Sequence, residues 1–112
     1  MINRDKKAIE DIIYCIDLIN RYTAGLSKYD FLTSQEKQDL VVHRLEILGE
    51  ATKRLSQNFI NTYPDINWSE MAKMRDVLIH QYDGIDLEIV WETINRDLRK
   101  VESYVKEIYK KL

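Results

Sequence analysis

The chain is poor in the residues that bend or cross-link a backbone. Its 112 residues include three glycines, one proline and one cysteine. So few turn formers argue against the many short strands of a sandwich or barrel and favour long helices joined by short connections. Cys15 is alone, so neither a disulfide nor a cysteine-rich zinc site can form within the chain. No run approaches the roughly 18 apolar residues of a membrane span. The opening MINRDKKAIEDI carries no apolar signal region. A soluble, cytoplasmic protein with no membrane association is expected. Positive charge is also missing in excess: the formal net charge is −2. That is the wrong sign for coating nucleic acid by bulk attraction. Any polyanion partner would be gripped by a local cluster, such as one assembled between subunits.

What is present is a hydrophobic fraction of 45%, enough for one core, and a length that fits one domain over residues 1–112. Ile9, Ile12, Ile13, Ile16, Ile19 and Tyr22 fall on one face at helical spacing, predicting a first helix from about Asp5 to Tyr22 that ends near Gly25. Thr33-Ser34-Gln35-Glu36 reads as a capping box with Thr33 as the cap. The second helix should then run to about Asn58 with Val41, Leu45, Leu48, Ala51 (or Thr52) and Leu55 inward. After the Pro64 loop, Asn67 and Glu70 open a shorter helix through Met71, Met74, Val77 and Leu78, broken by the QYDG of 81–84. Asp86 caps a last helix whose face carries Ile89, Val90, Ile94, Leu98, Val101, Val105 and Ile108. The expected fold is all-α, an up-down bundle of four helices, or five if the first or last is broken. Trp68, Trp91, Tyr104 and Tyr109 suit either core and rim or the seam of a homodimer.

Chemistry concentrates where the third helix runs out, in MRDVLIHQYDG. Arginine offers a planar fork of donors to a phosphate and stays charged. Histidine exchanges protons near neutrality. Arg75 and His80 are five residues apart, about 140° around a straight helix, so convergence would rely on arginine's reach and a bent last turn. Residue chemistry alone leaves two readings open. Arg75 could pair with an acidic neighbour while His80 merely closes the helix. The alternative is metal-free RNA cleavage, in which a base takes the ribose 2′-hydroxyl proton, an acid protonates the departing 5′-oxygen and arginine steadies the charged phosphorus. One histidine is half of that set, and a twofold dimer would supply the other. His80, Asp83 and Asp86 make a poor metal site, and His43 points about 160° from Leu45, toward solvent. Cys15, among isoleucines, reads as a small buried residue. No phosphate loop or nucleophile elbow is present, and no metal or cofactor is expected.

Arg75-x4-His80-x-Tyr82 resembles the Arg-x4-His-x-Tyr motif of the HepT-like proteins, a branch of the HEPN superfamily. The likeness extends through HRLEILGEATKRLS (43–56), with Leu48-Gly49-Glu50-Ala51 at the family's Ile-Gly-Glu-Ala core. It continues through PDINWSEMAKMRDVLIHQYDGIDLEIVWETINRDL (64–98), whose sections come in the family's order. The resemblance implies a homodimeric HEPN-type bundle acting as the toxin of a toxin–antitoxin pair. It also implies a metal-independent endoribonuclease, active on transfer or messenger RNA, with Arg75 and His80 catalytic in a cleft between protomers. The implied partner is a minimal nucleotidyltransferase antitoxin that places AMP on the motif tyrosine, Tyr82. Bulk and negative charge there would repel RNA. Asp76 and Glu50 are supporting candidates, Glu50 beside the Arg75 guanidinium, and Lys53, Arg54 and Lys73 are candidate RNA contacts. Gly49 inside a helix implies a close crossing, at the dimer axis or beside the short third helix. The competing reading is a non-catalytic helical dimer that binds a nucleotide or protein.

Overall fold

A computed structural model describes residues 3–80 and 84–112, the side chains of 77, 79 and 80 excepted. The described residues form helices α1 (Arg4–Thr23), α2 (Lys28–Leu32), α3 (Gln35–Lys53), α4 (Gln57–Thr62), α5 (Trp68–His80), α6 (Leu87–Glu92) and α7 (Leu98–Lys110). A π-helical turn, Thr93–Asp97, joins α6 to α7. The all-α bundle is as expected, with α3 packed on both α1 and α5, and α7 on α1. Cross-links fix the directions. Asp5 and Asp11 on α1 meet Ser56 and Arg54 beyond the end of α3, and Glu10 and Asn20 meet Tyr109 and Glu102 on α7. Both pairs are therefore antiparallel. Among the described residues no helix is long and apolar enough to cross a membrane.

The isoleucine face of α1 does what its spacing requires. Ile9, Ile12, Ile16 and Ile19 are fully or almost fully buried, with Cys15 among them. Opposite them lie Val41, Leu45, Leu48, Ala51 and Thr52 of α3. Gly25 ends α1 at φ +75°, a left-handed conformation that glycine adopts without strain. His43 is exposed, as its position predicted.

Several boundaries differ from expectation. The cap of α3 is Ser34, whose hydroxyl accepts from Lys37 N. The Thr33 hydroxyl instead donates to the Tyr29 carbonyl, closing α2, which is opened by a Ser27–Asp30 capping box. The second long helix stops at Lys53, not Asn58, because Asp5 of α1 accepts from both the amide and hydroxyl of Ser56. Pinned there, Ser56 caps α4, which carries Asn58. Asn67 and Asp86 cap α5 and α6 as expected.

The last helix is widened rather than broken. Val90, Ile94 and Leu98 are all buried but spaced by four, and an α-helix overshoots by about 40° at each such step. The π turn, in which Leu98 N donates to the Thr93 carbonyl, brings the three back to one face. Ile89, expected inward, is 60% exposed. Two aromatics that suited either the core or a dimer seam belong to the protomer itself. Trp68 is buried, donating to the Tyr63 carbonyl at 2.8 Å beside Phe59, and Trp91 stacks on Phe31. Tyr104 and Tyr109 remain exposed, the latter donating to Glu10.

Candidate active site

Arg75 and His80 of the motif lie on α5, which begins at Trp68 and ends at His80. α5 can approach α3 closely because α3 has a glycine at the crossing. A β-carbon on Gly49 would sit 2.9 Å from both Cβ and N of Arg75 and 3.2 Å from the Met71 carbonyl oxygen. The crossing anticipated from Gly49 is therefore the one beside the short third helix, and the residue standing over it is Arg75. Successive helical residues diverge by about 100°, so Met74 and Asp76 fall on opposite flanks of Arg75. Met74 turns to a cavity of about 270 Å³ shared with Leu45, Leu78, Ile85 and Val90. Asp76 turns to a charged flank.

That flank gathers four of the candidate side chains. Arg75 Nε approaches Glu50 Oε2 at 2.7 Å, and its Nη1 lies 3.6 Å from Asp76 Oδ1. Lys53 Nζ donates to the same Asp76 oxygen at 2.7 Å. Glu50 and Lys53 both project from α3, three residues apart, hence on neighbouring strips of one surface. The Arg75 side chain stays 38% exposed, so its fork is held yet still reaches solvent. The acid expected beside the guanidinium is thus Glu50, across the helix pair, with Asp76 as a longer second contact.

Two further candidates stand apart. Arg54 follows Lys53 in sequence but turns the other way, its Nη2 lying 2.7 Å from Asp11 Oδ2 on α1. Lys73 is exposed on α5 and has no ion pair among the described residues. His80 is the final residue of α5 and its side chain lies outside the described residues, as do Gln81, Tyr82 and Asp83. Among the described residues no group of three His, Cys, Asp or Glu could hold a metal ion. What the arrangement offers chemically is one pre-set guanidinium, partly exposed and flanked by carboxylates. It sits five residues before a histidine. Gly49 is the residue that sequence reasoning placed only loosely; a glycine within an otherwise apolar and charged helix was the available signal.

Comparisons with known proteins identify the family of the chain. The family model described as "Ribonuclease HepT-like" matches residues 12–108. "Probable ribonuclease HepT" of Thermococcus cleftensis is 38% identical over 105 residues, covering 94% of this chain and 96% of that protein. A Methanocaldococcus jannaschii protein named "Gamma-glutamylcyclotransferase and putative RNase" is 40% identical over 104 residues, 93% of this chain. The chain spans about half of that longer relative, 47% of its length. No solved structure matches the chain. With nearly its whole length matched, the chain belongs to the ribonuclease HepT-like family, within the HEPN superfamily.

Proposed function

We propose that the chain is the toxin of a type II toxin–antitoxin pair, a metal-independent endoribonuclease. Its working form is a homodimer in which Arg75 and His80 of both protomers line one cleft. The observation that carries this reading is the setting of Arg75. In a chain of a ribonuclease family, the motif arginine is anchored at 2.7 Å by Glu50 and still reaches solvent. One His80 takes the proton from a ribose 2′-hydroxyl. That oxygen attacks its own phosphorus, and the bond to the 5′-oxygen breaks as the other His80 returns a proton to it. Arg75 stabilises charge on the non-bridging oxygens. The products are a 2′,3′-cyclic phosphate and a 5′-hydroxyl. Lys53 and Lys73 flank the path of the strand, and Asp76 holds Lys53 and Arg75 on one side. Arg54 is left to the α1–α3 seam.

Control comes from a nucleotidyltransferase antitoxin. The Tyr82 phenol oxygen attacks the α-phosphorus of ATP, pyrophosphate leaves, and the phenol proton passes to solvent. The AMP then fills the cleft with bulk and negative charge.

The test is RNA cleavage in EDTA by the wild-type chain, His80→Ala and Arg75→Ala, each confirmed as a folded dimer by circular dichroism and sedimentation. Cleavage that survives chelation, disappears in His80→Ala and falls steeply in Arg75→Ala is the expected result. Equal activity in all three would identify a contaminant and leave the competing reading, a binding dimer without catalysis. Intact mass after co-expression with a nucleotidyltransferase should rise by AMP units, and Tyr82→Phe should abolish the rise.

A further inference from the structure

From this crossing we infer that Gly49 and Glu50 together form a seat for Arg75 and act as positioning residues for the active site. The inference rests on the reading above that Arg75 stabilises the reacting phosphate. The two neighbours divide the work. Gly49 sets where the Arg75 backbone stands. Glu50 sets which way its guanidinium points.

The backbone half is steric. Carbon atoms in good contact lie about 3.5–4.0 Å apart, whereas a β-carbon on Gly49 would lie 2.9 Å from Arg75 Cβ and from Arg75 N. Neither atom belongs to a swinging side-chain end. The amide nitrogen and first carbon move only if α5 moves. Ala at position 49 therefore lifts α5 off α3 by several tenths of an ångström at Arg75. The other close atom, the Met71 carbonyl oxygen one turn earlier at 3.2 Å, carries the same displacement along the helix. The charged half follows from chain order. Glu50 is rotated about 100° from Gly49, out of the crossing to its rim, where its carboxylate meets Arg75 Nε at 2.7 Å. Holding Nε from behind leaves Nη2 and, past its longer 3.6 Å contact with Asp76, Nη1 as the part of the fork able to face a phosphate. Moving such a group by a fraction of an ångström changes its fit to a transition state more than its fit to bound substrate.

The experiment compares Gly49→Ala and Glu50→Gln with the wild-type dimer in steady-state RNA cleavage. Each variant should lose at least tenfold in kcat with KM changed less than threefold. In an Arg75→Ala background neither substitution should lower the residual rate further. Ile16→Val, which trims the core away from the site and lowers the melting temperature, is the stability control and should keep full kcat. A second readout needs no activity: the Arg75 Nε–H resonance in 15N-resolved NMR, assigned by its loss in Arg75→Lys. It should shift in both variants while the Arg54 resonance stays in place. Unchanged kcat, or an unmoved Arg75 resonance, in a folded Gly49→Ala or Glu50→Gln dimer overturns the seat. If Gly49→Ala does not fold, Glu50→Gln alone decides by the same two criteria. A wild-type chain that cleaves no RNA would refute the ribonuclease reading instead, and the resonance arm would still judge the seat.

Discussion

Two arginines tie α3 or its end to a neighbouring helix, each by a 2.7 Å contact to a carboxylate, and they are built for different ends. Arg54 reaches Asp11 of α1, whose side chain is 26% exposed and is also gripped by Lys7 at 2.9 Å. Arg75 of α5 reaches Glu50, which is 53% exposed. The first pair lies along the isoleucine core, where apolar burial already fixes the helices. The second lies over a glycine crossing, on a helix that packs mainly on α3. Where packing holds the backbone, an ion pair adds little. Where the backbone stands close because an atom is missing, the pair directs a side chain.

The sharpest way to break this contrast is to remove each arginine. Arg75→Ala should cut RNA cleavage by about 10²–10³-fold, the scale of losing one oxyanion donor, with little change in melting temperature. Arg54→Ala should leave kcat within about twofold, since its guanidinium faces α1. Equal losses in a single-turnover assay would erase the distinction.

Next comes the core beneath Arg54. Ile12→Ala removes a fully buried side chain and should cost about 2–4 kcal/mol in urea unfolding. Met74→Ala, on a half-buried residue beside an existing cavity, should cost less than half as much. If the two are equal, α5 is as firmly packed as α1 and the contrast fails on its structural side.

A smaller effect concerns pH. At Asp11 burial pushes the carboxyl up, but hydrogen bonds and charge from Lys7 and Arg54 outweigh it and leave it below its usual value. A carboxyl lowered on folding contributes stability that is complete above the unfolded value of about 4 and is lost as pH falls through the folded one. Below about pH 4 the wild type should therefore lose stability more steeply than Asp11→Asn, by less than about 1 kcal/mol given the pair's exposure. Parallel acid melts of the two proteins would show that the pair is neutral to folding. Smallest of all is Cys15: burial raises its thiol against the opposing influence of Arg44. Alkylation by iodoacetamide should be slow until urea is added.

Much of the bundle could be read from periodicity, because α1 and α3 bury simple stripes. The errors lie where a distant contact overrode a local signal. Thr33 and Ser34 are equivalent caps on paper, and Ser34 takes the role while the Thr33 hydroxyl turns back to α2. α3 ends early because Asp5, fifty-one residues away, captures Ser56. The tryptophans suit core and interface alike until Phe31 and Phe59 are placed beside them. In the site, spacing alone left Arg75 and His80 undecided and the family motif gave them a reading. Lys53 and Arg54 could not be told apart as a charged run. Adjacent helical residues diverge by about 100°, and that angle sends one to α5 and the other to α1.

The cluster around Arg75 holds two cations, Arg75 and Lys53, and two carboxylates, Glu50 and Asp76. Free lysines on a surface gather loosely held salt anions, and nucleic-acid binding gains from the release of ions. Here the anions are already part of the protein. A phosphate reaching Arg75 meets a guanidinium already neutralised by a tethered carboxylate and sets few ions free. On the proposed reading, affinity for RNA at this face should thus fall only gently with added salt, and discrimination would rest on how the strand fits around Arg75 rather than on how strongly it is drawn there.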